Sequence, residues 1–82
     1  MSATRLEVGR IVKAHGIKGE VLVALTTTRT DRVAPGAVLH TDKGPLTVIR
    51  SSAHQGKWIV AFEGIPDRNT AETMRGTVLS AD

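Results

Sequence analysis

Apolar residues in this chain come in short runs that alternate with polar ones, and the runs are cut by turn residues. Over residues 20–26, Val21, Val23 and Leu25 fall on one side of an extended chain, and over residues 58–62 Trp58, Val60 and Phe62 do the same. Residues 6–14, 37–41, 46–52 and 77–80 complete a set of six predicted strands. The connections carry turn chemistry: His15-Gly16-Ile17-Lys18-Gly19, a polar segment over 27–36 closed by Pro35-Gly36, Asp42-Lys43-Gly44, and His54-Gln55-Gly56-Lys57. The first strand does not alternate cleanly, because Leu6 and Val8 share a face while Ile11 falls on the other. A bulge near Gly9-Arg10 brings them together; the alternative is a strand partly covered on both faces.

One helix is predicted over residues 70–75. Asn69 is its N-cap, Glu72 stands three residues on as in a capping box, Gly76 suits the left-handed C′ position, and Ala71 and Met74 face inward. No helical segment is long enough to cross back between parallel strands, so the sheet is predicted to be antiparallel. Short, evenly spaced strands joined by glycine turns predict an all-β small barrel or sandwich, and a closed barrel leaves no edge to aggregate. Trp58 and Phe62 are the only aromatic residues, and so small a core is expected to bury both.

Composition narrows the chemistry. With 82 residues the chain is one small domain, and with no cysteine it has neither a disulfide nor a thiolate metal site. No leader-like apolar segment opens the sequence and no apolar run approaches a membrane span, so a cytoplasmic protein is expected. Eleven Lys and Arg against eight Asp and Glu give a net charge of +3, which invites an anionic partner such as nucleic acid, although solubility alone accounts for such a charge in many domains. Two aromatic rings cannot both fill a core and stack bases, so any RNA contact is expected at phosphates and shape.

His15 with Glu20 nearby is the obvious candidate for acid–base chemistry. No Ser/His/Asp set and no metal-ligand spacing accompanies them, and His40 and His54 lie at separate strand ends. The simpler reading is that His15 hydrogen-bonds the turn and Glu20 pairs with a cation. The glycines of the 15–20 turn lack the lysine-hydroxyl ending and the following helix of a phosphate loop; they serve positive φ in a tight corner. Ile17 between them is read as core, with an exposed contact as the alternative. The cations Arg10, Lys13 and Lys18, with His15, and Arg29 and Arg32 in the threonine-rich loop are the candidate phosphate ligands. Arg10 and Lys13 are three apart, so only a bulge aligns them on one face.

The run Val8-Gly9-Arg10-Ile11-Val12-Lys13-Ala14-His15-Gly16-Ile17-Lys18-Gly19-Glu20-Val21 resembles the opening signature of the RimM family, and Gly64-Ile65-Pro66-Asp67-Arg68-Asn69-Thr70-Ala71-Glu72 through Arg75-Gly76 resembles a second block of the same family in the same order. The resemblance covers essentially the whole chain. It implies a six-stranded β-barrel similar to the second domain of translation elongation factors, with residues 1–82 as the N-terminal domain and a C-terminal PRC-barrel domain following in complete members. It implies ribosome biogenesis: maturation of the head of the small (30S) subunit and 16S rRNA processing, by binding and not by catalysis, with no cofactor and no metal. The implied partners are the pre-30S particle, 16S rRNA, the nineteenth small-subunit ribosomal protein and the PRC-barrel domain. A generic phosphate-contacting RNA-binding barrel and a small enzyme using His15 and Glu20 are the competing readings.

Overall fold

The computed structural model describes residues 6–27 and 29–81. Six strands, β1 (Leu6–His15), β2 (Glu20–Leu25), β3 (Val38–Thr41), β4 (Gly44–His54), β5 (Lys57–Phe62) and β6 (Val78–Ala81), close into a barrel in the order β1-β2-β5-β4-β3-β6. Every pairing is antiparallel. The all-β six-stranded barrel with one short helix is thus the fold, and no helix of the described residues is long and apolar enough to cross a membrane.

The first strand takes its shape from two bulges, not one. Glu7 pairs with Ser80 and Gly9 with Leu79, which leaves Val8 as the extra residue against β6; Ile11 pairs with Val23 and Lys13 with Leu22, which leaves Val12 extra against β2. The bulges flank Gly9-Arg10, near which one bulge was expected. They turn a period of two into a period of three, so Val8, Ile11 and Ala14 all point inward and are buried. Leu6, expected on the face of Val8, lies beyond the first bulge and is 61% exposed. Gly9 is required by space, since a Cβ there would stand 2.5 Å from the Ala24 carbonyl oxygen.

Val21, Val23, Leu39, Val48, Val60, Phe62 and Leu79 fill the interior from the other strands. The two ends are stoppered by different devices. At the end where β2 leaves the barrel, a 3-10 helix (Thr30–Val33) inserts the fully buried Val33, and Ser51 Oγ donates to its carbonyl oxygen at 2.6 Å. At the other end, Ile65, Ala71 and Met74 from the segment around α1 (Arg68–Thr73) close the core.

The helix starts earlier than its sequence signals predict. Asp67, not Asn69, is the N-cap: its carboxylate accepts from the Thr70 backbone N–H at 2.8 Å, and Glu72 pairs with Arg68 at 3.3 Å instead of closing a capping box. An acceptor standing directly after Pro66 reaches the third helical N–H first and leaves Asn69 within the first turn. Trp58 also departs from expectation. Phe62 is buried, but Trp58 is only partly so; it is the last described residue of β5 to pair with β2.

Candidate nucleic-acid interface

The bulge at Val12 brings candidate ligands together. Arg10 pairs with Ala24 and Lys13 with Leu22, two positions apart on β2, so both cations project from the same outer face despite their spacing of three. His15 pairs with Glu20 and continues that face to the end of β1. Both lysine and arginine are exposed, and His15 is half-buried.

The β4–β5 hairpin reaches the same place from a distant part of the sequence. Gln55 (φ 50°) and Gly56 (φ 80°) take the two left-handed positions of a tight hairpin turn between the paired residues His54 and Lys57. The His54 ring lies 5.6 Å from the His15 ring, tilted by 58°. Between hairpin and barrel wall is a recess of about 260 Å³ lined by Lys13, His15, Leu22, His54, Gln55 and Lys57. Among the described residues its lining holds two lysines, two imidazoles and no carboxylate, which suits an anion.

Salt bridges sort the remaining cations. Arg29 grips Asp31 through two nitrogens, at 2.8 and 3.3 Å. This hydrogen-bonded pairing raises the Arg29 pKa and holds the Asp31 carboxyl below its ordinary range. Arg50 reaches Glu20 at 3.4 Å and Arg68 reaches Glu72. By contrast, Arg10, Lys13, Lys18, Lys43, Lys57 and Arg75 make no ion pair with a carboxylate among the described residues.

The sequence-predicted residues therefore divide. Arg10, Lys13 and His15 lie together, and Lys18 sits exposed in the turn at the end of β1. Arg29 and Arg32 follow β2 at the opposite end of the barrel; Arg29 is committed to Asp31, and the Arg32 Nε is buried without a partner among the described residues. Lys57 and His54 were missed as ligands because only the hairpin pairing turns them toward β1. Ile17, read as core, is 80% exposed at the tip of the corner. The corner itself is held from outside: Arg68 donates to the Gly16 carbonyl oxygen at 2.9 Å, and Gly19, at φ 87°, packs under the backbone of Ile65 and Asp67. Glu20 does pair with a cation, as expected, but His15 meets His54 in place of a bond to the turn. No group of three or more His, Asp or Glu side chains among the described residues is placed to hold a metal.

The fold is a small closed barrel, stoppered at both ends, that carries on one outer face cations without an ion pair among the described residues. The model of the RimM N-terminal domain matches residues 6–82. The ribosome maturation factor RimM of Acidothermus cellulolyticus is 52% identical over 83 residues, covering 99% of this chain and 47% of the relative. That of Corynebacterium efficiens is 48% identical over 79 residues, covering 90% and 47%. The crystal structure of a RimM protein from Pseudomonas aeruginosa superposes with a TM-score of 0.82 at 25% identity, over 96% of this chain and 51% of that one. The solution structure of the RimM N-terminal domain from Thermus thermophilus shares the fold, with a TM-score of 0.80 at 17% identity over 98% and 91%. The chain belongs to the RimM family and corresponds to its N-terminal domain. It spans about half the length of the curated relatives it matches.

Proposed function

We propose that this barrel is the RNA-contacting module of a ribosome maturation factor, acting in assembly of the small-subunit head and in 16S rRNA processing by binding and not by catalysis. The observation that carries the reading is the convergence of Lys13, His15, His54 and Lys57 around a recess with no carboxylate among the described residues of its lining, with Arg10 on the same outer face of β1. Family membership supplies the context, because the relatives are named ribosome maturation factors. Phosphate contacts position a protein on RNA without reading bases. That agrees with a chain whose Phe62 lies in the core and whose Trp58 packs against it, so that neither is set out as a stacking platform.

The implied partners are the pre-30S particle and its 16S rRNA, with the nineteenth small-subunit protein and a PRC-barrel domain engaged by the whole protein. An enzyme built on His15 and Glu20 is the weaker reading, since Glu20 commits its carboxylate to Arg50 and no carboxylate among the described residues orients His15. Co-sedimentation with immature small subunits tests the proposal. The wild-type domain is expected to pellet with the particles at low salt and to be released as salt rises, while a double Arg10→Ala, Lys13→Ala variant stays in the supernatant. Pelleting of the double variant at wild-type levels would reject this face as the interface.

A further inference from the structure

On the other side of β1, β6 meets β3. Among the described residues these two strands share one residue pair, His40 with Ser80, whereas β3 pairs with β4 along its whole length. Past that pair the strands part, and a cleft of about 470 Å³ opens between the β3–β4 hairpin and the segment joining α1 to β6. Its volume falls in the range of roughly 300–1,000 Å³ typical of small-ligand sites. Thr41, Asp42, Lys43, Arg75, Val78 and Ser80 are among the residues that line it.

The walls are fixed before any ligand arrives. Lys43 Nζ donates to the Thr73 carbonyl oxygen at 3.0 Å and ties the hairpin to the last residue of α1. Thr41 Oγ1 donates to the Gly44 carbonyl oxygen at 2.7 Å and accepts the Lys43 backbone N–H at 3.0 Å, so the turn is held without the Asp42 side chain. The Lys43 ammonium keeps two further donors, and Arg75 opposite has no ion pair among the described residues. Val78 on the cleft's rim pairs with Arg10, so the cleft adjoins the basic face of β1.

We infer that this cleft takes one nucleotide of RNA, with Arg75 and Lys43 on its phosphate and the Asp42 carboxylate accepting a hydrogen bond from its 2′-hydroxyl. The inference rests on the RNA-binding reading above and names the sugar it favours. Two cations and a serine hydroxyl satisfy phosphate oxygens. A carboxylate at the mouth of a cation-lined cleft repels phosphate unless it has a donor to accept, and the 2′-hydroxyl is the donor that DNA lacks.

Fluorescence anisotropy with a short labelled oligouridine and its deoxy counterpart isolates that hydroxyl. Wild type is expected to prefer the ribo-oligomer by roughly tenfold, the worth of one hydrogen bond to a charged acceptor. Asp42→Ala is expected to bring the ratio to about one while leaving deoxy affinity equal or higher, because a negative charge has gone. Arg75→Ala should weaken both oligomers, and Lys13→Ala, on the far side of β1, should weaken both without moving the ratio. Equal affinity of wild type for the two oligomers, or an unchanged ratio in Asp42→Ala with native circular dichroism, overturns the cleft assignment alone. Binding to neither oligomer overturns it together with the RNA-contacting face.

Discussion

Glu20 on β2 reaches across β5 to Arg50 on β4, their charged atoms 3.4 Å apart, with Ala61 the residue of β5 paired to Arg50. The pair spans three strands and draws the Glu20 carboxylate toward Arg50, away from the basic face around His15. Ala61 is the side chain small enough to lie between them, and it is buried. Replacing Arg50 with Ala is expected to cost little stability, within about 1 kcal/mol as for other partly exposed pairs. Its consequence falls on the interface: a released Glu20 carboxylate next to His15 should weaken RNA binding, as measured by anisotropy. An Arg50→Ala variant that binds RNA as tightly as wild type would show that Glu20 was never a threat to that face.

Two glycines of one corner should behave differently. Gly16 and Gly19 both have positive φ, 71° and 87°. A Cβ at Gly16 meets nothing within 4 Å, whereas at Gly19 it would stand 2.5 Å from the Ile65 carbonyl oxygen. Gly16→Ala is therefore expected to lose only the left-handed preference, about 1 kcal/mol, and Gly19→Ala upward of roughly 3 kcal/mol or to fail to fold. Urea unfolding of the two variants checks the order. Gly9→Ala belongs with Gly19, because backbone also occupies its Cβ position, although its own φ is not left-handed.

The start of α1 gives a prediction with a pH dependence. The Thr70 N–H, bonded to the Asp67 carboxylate, lowers that group's pKa from its ordinary 3.8. A depressed folded pKa adds stability that is present above the unfolded value and is lost as pH falls through the folded one. Asp67→Ala should lower the thermal midpoint at neutral pH and flatten its fall in acid, while Asn69→Ala should do neither. A matching loss in Asn69→Ala would return the cap to Asn69.

The alternation of Val21 with Val23 and of Trp58 with Val60 was legible in the sequence because β2 and β5 pair there in unbroken register. β1 was not, since its inward positions depend on bulges whose places are set by β2 and β6 together. The same bulge at Val12 put Lys13 beside Arg10, a possibility the sequence left open. Lys57 and His54 joined that face through a hairpin far along the chain, and no local pattern marks such a meeting. Arg29 looked available until Asp31, its near neighbour in sequence, proved to hold it.

The central claim, that unpaired cations on the outer face of β1 bind rRNA phosphates, is tested most directly by the slope of log Kd against log salt for a 16S rRNA fragment. Each phosphate contact releases condensed counterions, so Lys13→Ala should weaken binding and flatten the slope by about 0.7–0.9, while Arg29→Ala, already neutralised by Asp31, should leave both unchanged. Affinity that hardly varies with salt, or a slope that answers to Arg29 and not to Lys13, would contradict the account.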